Sequence, residues 1–157
     1  MTTGKGASGP LLLALLLSVL TAWVYWPGIN GPALLDDRSS VMVITGLKAQ
    51  PELALDYIFG DSSGLLGRSV SMATFVAERV YLDGSVATSK TINILLHLAN
   101  GGLVIWLLWL LFRHLAVPGY RYLAVALGAI WLLHPLWVST VLYMVQRMAM
   151  LSTFFML

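Results

Sequence analysis

Two adjacent carboxylates, Asp36 and Asp37, follow the first apolar run of the chain and are the first groups able to carry chemistry. Neighbouring carboxylates repel each other, and burial penalises their charged form, which suits one of them to act as a general base or a metal ligand. The alternative is structural, with one carboxylate capping a helix and the other a solvated charge beside Arg38. The local sequence leaves both interpretations open.

A second polar set lies on one side of a predicted helix. Its members are Lys90, Asn93, His97 and Asn100. Their spacings of three, four and three residues place all four on one helical face. Ionisable groups at membrane depth usually face a bundle interior or a wet cavity, which favours a polar cavity beside this face. The alternative is that these side chains make polar contacts that hold neighbouring helices together, and both interpretations stay open.

Arg68, Arg147 and His134 are the remaining candidates. Arg147 lies in an otherwise apolar stretch, so it needs an anionic partner. That partner is either a structural Asp or Glu, or a phosphate group of a lipid or substrate. Arg68 has the same requirement in the loop, and His134 precedes Pro135 at a predicted helix end.

The composition predicts a membrane protein. Of the 157 residues, 59% are hydrophobic and 10% are charged, and the mean hydropathy is +0.84. Soluble proteins carry about 25% charged residues, so lipid is expected to be the solvent for much of this chain. The absence of cysteine excludes disulfides and thiolate metal sites. The net charge of +2 gives no indication of a nucleic-acid partner.

The apolar runs divide the chain into predicted spans and one long loop. The spans are expected at about 10–27, 91–112 and 122–137, with a partial fourth at 138–157. The loop, 28–90, contains all seven acidic residues. Its pattern predicts a short helix between Pro51 and Gly60 and an amphipathic helix at the membrane interface over residues 68–81. The prediction is an all-α, polytopic transmembrane helix bundle with a helical extracytoplasmic first loop. We expect one membrane domain over 1–157, and an incomplete one, because the last apolar segment has no polar tail.

The basic residues predict the orientation. Lys5, Arg113 and Arg121 flank the predicted spans, and the positive-inside rule assigns them to the cytoplasm. The N-terminus is then cytoplasmic, whereas the loop and His134 lie outside. A signal peptide is the alternative for the first run, but no small-residue cleavage site follows it.

The order of these elements resembles the glycosyltransferase C superfamily. More narrowly, it is similar to the transmembrane-and-tetratricopeptide-repeat O-mannosyltransferases and their bacterial relatives, over nearly the whole chain beyond Pro27. The matching stretches are Leu34-Leu35-Asp36-Asp37, Gly67-Arg68-Ser69-Val70 with Thr74-Phe75, Asn93-x-x-x-His97-x-x-Asn100, and His134-Pro135 followed by Gln146-Arg147. The chain departs from the family at Ser69, where proline is common, and after Arg147, where an acidic residue is common.

The resemblance implies transfer of a sugar from a polyprenyl-phosphate-linked donor to a hydroxyl group of a protein or glycan acceptor. Asp36 or Asp37 would act as the base, and a divalent cation at this pair is an option that the chain does not require. Arg68, Lys90 and Arg147 would stabilise the departing polyprenyl phosphate.

His97 would orient the acceptor or bind a phosphate oxygen. The other predicted substrate-binding residues are Asn93, Asn100 and His134. The expected location is the bacterial inner membrane, with several passes and with membrane lipid as a partner.

Two other functions are kept as alternatives. One is a non-enzymatic membrane subunit that scaffolds a cell-envelope complex. The other is a transporter or flippase fragment that uses the face of Lys90, Asn93 and His97 as a substrate path.

Overall fold

The computed structural model describes residues 8–42, 44, 47, 49–60 and 68–157. Within these ranges no strand forms, and the prediction of an all-α chain is confirmed. The α-helices are α1 (Ser8–Tyr25), α2 (Ala54–Phe59), α3 (Ser69–Tyr81), α4 (Val86–His114), α5 (Tyr120–Leu132), α6 (Trp137–Leu142) and α7 (Arg147–Met156). Short 3-10 turns lie at Trp26–Gly28, Pro51–Leu53 and Met144–Gln146, and a π-helical turn lies at Asp37–Val41.

Two helices are long and apolar enough to cross a membrane. They are α1 with its 3-10 turn, at 21 residues, and α4, at 29 residues. At 1.5 Å per residue they reach about 31 and 43 Å, whereas the hydrocarbon core of a bilayer is about 30 Å thick. The start of α4 is capped by Ser85, whose hydroxyl accepts the Thr88 N–H at 3.1 Å. The predicted spans at 10–27 and 91–112 therefore lie within these two helices.

The predicted spans at 122–137 and 138–157 correspond to shorter helices. α5 begins after Gly119, whose φ of +67° suits glycine, and it ends at Leu132, shortly before Pro135. The last segment divides into α6 and α7 because the backbone is extended at Tyr143 (φ −98°, ψ 111°). Two helices of membrane-crossing length are thus found among the described residues, and a bundle of three or four spans stays a prediction.

α4 is the central helix and contacts α1, α3, α5, α6 and α7. Two glycines allow α4 and α5 to approach closely. A Cβ atom at Gly101 would lie 2.3 Å from the Leu132 side chain, and one at Gly128 would lie 2.1 Å from Ile105. Small residues at such positions are typical of tightly packed helix pairs in membranes.

The contacts also show which helix ends lie together. Lys90, near the start of α4, bonds to carbonyl groups just beyond α1, and His97 bonds to the Leu132 carbonyl at the end of α5. The Tyr122 hydroxyl, near the start of α5, lies against Gly9 near the start of α1. α1 and α5 therefore run in one direction and α4 in the opposite direction. We call the end that holds the start of α4 the loop end.

The described part of the long loop packs against the helices at the loop end. Its core contains Val41, Ile44, Leu47, Met72, Phe75, Val76 and Met144. A helix was expected between Pro51 and Gly60, and the 3-10 turn followed by α2 occupies that range. Residues 68–81 were expected to form an amphipathic helix at the membrane interface. α3 confirms the helix, but it buries Phe75 and Glu78 against the rest of the protein.

Candidate functional site

The two aspartates occupy different environments at the loop end. Asp37 is completely buried, and both of its carboxylate oxygens accept backbone N–H groups. Oδ1 accepts the Val145 N–H at 2.8 Å, and Oδ2 accepts the Leu34 N–H at 3.1 Å. Asp37 thus joins the segment after α1 to the break between α6 and α7, which is a structural task.

Asp36 is exposed and leaves its carboxylate open to solvent. Its backbone N–H donates to the Tyr143 hydroxyl at 3.2 Å. The preceding residue, Leu35, has a φ of +36°, a left-handed conformation that non-glycine residues seldom adopt. Of the two carboxylates, only that of Asp36 is placed to reach a substrate.

The donor set does not fit the divalent cation considered for this pair. Both Asp37 oxygens are engaged with backbone N–H groups, which leaves the single exposed carboxylate of Asp36. Among the described residues, no group of three or more His, Cys, Asp or Glu side chains is arranged to hold a metal ion. Hard divalent cations take several oxygen ligands, so we derive no metal-dependent step from this site.

Lys90 binds backbone carbonyl groups just beyond the end of α1. Its side chain is 2% exposed, and Nζ donates to the carbonyl groups of Gly28 (3.2 Å), Gly31 (2.8 Å) and Pro32 (3.3 Å). The Gly28 carbonyl is at the end of the 3-10 turn and also accepts the Gly31 N–H at 3.1 Å, whereas the Gly31 and Pro32 carbonyl groups lie in the segment after that turn. The ammonium group therefore fixes the segment that leads to Asp36.

Lys90→Met is expected to destabilise the protein by about 1–3 kcal/mol, because it leaves the carbonyl groups of Gly31 and Pro32 without the Lys90 donor. The Gly28 carbonyl keeps the Gly31 N–H. The measurement is the apparent melting temperature of the detergent-purified protein, followed by tryptophan fluorescence. Arg113→Met is the matched control, since Arg113 is an exposed cation on the same helix. Equal melting temperatures for the two variants would contradict the assignment.

The other residues on the polar face of α4 also bond to backbone carbonyl groups. The Asn93 amide donates to three carbonyl oxygens between Val141 and Met144, at 3.2–3.5 Å. His97 Nε2 lies 3.0 Å from the Leu132 carbonyl, and Asn100 donates to the Met150 carbonyl at 2.9 Å. The four predicted residues do share one buried face. Their contacts correspond to the alternative of polar contacts between helices rather than to a wet cavity.

Arg147 is 1% exposed and bonds to protein groups on two helices, α3 and α4. Nη2 donates to Glu78 at 2.8 Å and to the Ser89 carbonyl at 3.0 Å. Nε donates to Asn93 at 2.8 Å, and Nη1 donates to Thr74 at 3.3 Å. The anionic partner of Arg147 is thus the carboxylate of Glu78. The proposed substrate site does not include Arg147.

The sequence reasoning missed Glu78 and Tyr143. A signal for Glu78 existed, because it lies four residues after Thr74 and therefore shares its face of α3, and a buried arginine needs an acid. No local pattern pointed to Tyr143. Its role depends on the break in the helix that brings its hydroxyl to Asp36.

Arg68 lies beside a surface groove, and His134 bonds within its own turn. Arg68 is half-exposed at the start of α3 and borders an open groove of about 540 Å³ between α3 and α7. The groove is otherwise lined by Ser69, Val70, Ser71, Met148, Ala149, Leu151, Ser152 and Phe155. His134 is exposed, and its Nδ1 accepts the Leu136 N–H at 3.3 Å. Gly67 and Lys5 lie outside the described residues.

Comparison with protein-family models, with curated proteins and with solved structures finds no match to this chain. The fold itself defines the class: an all-helical protein with two helices long and apolar enough to cross a membrane. At the loop end, the exposed Asp36 donates its backbone N–H to Tyr143, and the neighbouring Asp37 is buried and accepts the Val145 N–H.

Proposed function

We propose that the chain is an integral membrane glycosyltransferase, or the N-terminal portion of one. It transfers a sugar from a polyprenyl-phosphate-linked donor to an acceptor hydroxyl group. The observation that carries the proposal is the exposed Asp36 at the loop end, beside the buried Asp37. A base that takes a proton from an acceptor needs this combination of access and a fixed backbone.

The exposed surface of the long helices supports a membrane location. Leu11 and Leu15 on α1 are 70% and 61% exposed, and Leu95 and Trp106 on α4 are 59% and 51% exposed. Continuous apolar faces of this kind are rare on soluble proteins, because they are unfavourable in water. Lipid is the solvent that suits them. The positive-inside rule, applied to Arg113 and Arg121, puts the loop end on the extracytoplasmic side.

The chemistry follows from the position of Asp36. Its carboxylate takes the proton of the acceptor hydroxyl, whose oxygen attacks the anomeric carbon of the donor sugar. The bond between that carbon and the phosphate oxygen breaks, and polyprenyl phosphate leaves with both electrons of the bond. Attack opposite to the leaving group inverts the anomeric configuration. Asp36 afterwards releases the proton to water.

The groove beside Arg68 suits the lipid part of the donor. A guanidinium group can bind phosphate oxygens through two parallel hydrogen bonds and stabilise the charge that develops on the leaving group. Leu151 and Phe155 of α7 and Val70 of α3 give the groove an apolar lining. An isoprenoid chain can lie along these side chains while its phosphate stays near Arg68.

The test uses the native protein in lipid nanodiscs with polyprenyl-phosphate-[³H]mannose and a serine- and threonine-containing peptide. Labelled peptide is the expected product, together with slow release of free mannose when water is the acceptor. GDP-[³H]mannose, which lacks the lipid, serves as the control donor and is expected to give no product. If neither labelled peptide nor free mannose forms from the lipid-linked donor, the proposal is wrong.

The second candidate is a non-enzymatic membrane subunit. The specific observation in its favour is that Lys90, Asn93, Asn100 and Arg147 all bond to protein groups. This function predicts that a larger membrane complex still assembles after Asp36 is replaced. Co-purification of the Asp36→Asn variant with a partner, without any transfer by the native protein, would favour it over the transferase.

A further inference from the structure

The Tyr143 side chain reaches the backbone of Asp36 from a distant part of the chain, whereas the other side chain on that backbone, Ser39, is a near neighbour. The hydroxyl oxygen accepts the Asp36 N–H at 3.2 Å across 107 residues of sequence. Tyr143 itself is half-buried and lies at the break between α6 and the 3-10 turn, where Asn93 holds its carbonyl group. Hydrogen bonds therefore fix Tyr143 at its hydroxyl group and at its backbone carbonyl group.

The hydroxyl proton of Tyr143 takes no part in the hydrogen bond with the Asp36 N–H. A phenol has one proton, and here its oxygen acts as the acceptor. In the part of the chain that the structure describes, no acceptor receives the Tyr143 proton. Covalent geometry keeps the carboxylate of Asp36 within about 4 Å of its own amide nitrogen. The free proton of Tyr143 and the carboxylate of Asp36 can therefore reach one bound molecule.

The backbone before Asp36 supports a functional arrangement. Leu35 holds a φ of +36° although its side chain is 82% exposed, so burial of Leu35 does not explain the strain. Strained backbone persists where surrounding contacts enforce it, and such positions cluster at functional sites. The turn around Leu35 is closed by the Asp37 N–H, which donates to the Leu34 carbonyl at 2.8 Å, and by the Leu34 N–H, which donates to Asp37 Oδ2 at 3.1 Å. Asp36 and Asp37 attach this turn to Tyr143 and Val145.

We infer that the Tyr143 hydroxyl is a second substrate-contacting group of the Asp36 site. It donates its proton to an acceptor oxygen that neighbours the hydroxyl group deprotonated by Asp36. This inference rests on the proposed function and narrows its acceptor class. The site selects molecules with two oxygen atoms a few bonds apart, such as a sugar or a serine- or threonine-containing peptide. Water, with a single oxygen atom, makes no use of the tyrosine.

The experiment compares Tyr143→Phe with the native protein in lipid nanodiscs, with polyprenyl-phosphate-[³H]mannose as the donor. Transfer to a serine- and threonine-containing peptide and release of free mannose are measured separately. We expect Tyr143→Phe to raise the KM for the peptide about three- to tenfold, the effect of one lost hydrogen bond. The rate of mannose release and the KM for the donor are expected to stay unchanged. Tyr122→Phe is the matched control, because the Tyr122 hydroxyl lies at the other end of α1.

The outcomes separate this inference from the proposed function. If peptide transfer and mannose release fall together, Tyr143 only supports the position of Asp36, and the inferred contact is wrong. If Tyr143→Phe changes neither, the inference is also wrong, whereas the proposed function stands as long as the native protein transfers mannose. If the native protein yields neither product, the proposed function itself fails.

Discussion

Asp36→Asn is expected to lower the rate of sugar transfer by about 10²–10⁴-fold, the contribution that a positioned general base typically makes. The amide cannot take the proton of the acceptor hydroxyl at neutral pH. The substitution preserves the size of the side chain, and the contact that Asp36 makes with Tyr143 uses the backbone N–H. Folding is therefore expected to be unaffected. The measurement is the initial rate of mannose transfer from the polyprenyl-phosphate donor, together with the melting temperature.

Asp37→Asn provides the matched control, since it makes the same substitution one residue later. Asp37 is completely buried and accepts N–H groups with both oxygens. An asparagine would present an N–H₂ group to one of those donors, so a lower melting temperature is expected. The folded fraction should retain transfer activity. A loss of activity in the Asp37 variant alone, with the Asp36 variant fully active, would reverse the assignment of the base.

Arg147→Met is expected to destabilise the protein by about 3–5 kcal/mol, the largest effect on stability among the changes considered. The substitution leaves the buried carboxylate of Glu78 without its cation, and both side chains of this pair are 1% exposed. It also removes the guanidinium group from the face of the Phe75 ring, where its carbon lies 3.9 Å from the ring centroid. Thermal unfolding of the detergent-purified protein measures the change.

The double variant Glu78→Gln with Arg147→Met tests the cause of that loss. Removing both charges avoids an unpaired carboxylate in the interior, so the double variant is expected to be more stable than Arg147→Met alone. The free energy of unfolding of the double variant is compared with those of the two single variants. If the losses caused by Glu78→Gln and Arg147→Met simply add, the two side chains are not coupled. A melting temperature for Arg147→Met equal to that of the native protein would contradict the buried pair itself.

Part of the fold could be predicted because it depends on neighbours in sequence. The repeat of apolar residues and the spacing of Lys90, Asn93, His97 and Asn100 follow the period of a helix, and α4 buries the whole set on one face. The helix boundaries depend on residues that are distant in sequence. α5 ends at Leu132 and the last segment breaks at Tyr143, because bonds from His97 and Asn93 stabilise carbonyl groups that a continuous helix would have used itself.

The sequence by itself determined the all-α class, two helices long enough to cross a membrane, and the need of Arg147 for an anion. Only the tertiary structure decided which anion that is and which aspartate is exposed. Glu78 lies 69 residues from Arg147 in the sequence. Val145, whose N–H donates to the buried Asp37, lies 108 residues from Asp37. Local periodicity specifies the face of a helix, whereas the partner of a buried polar group depends on how distant segments pack.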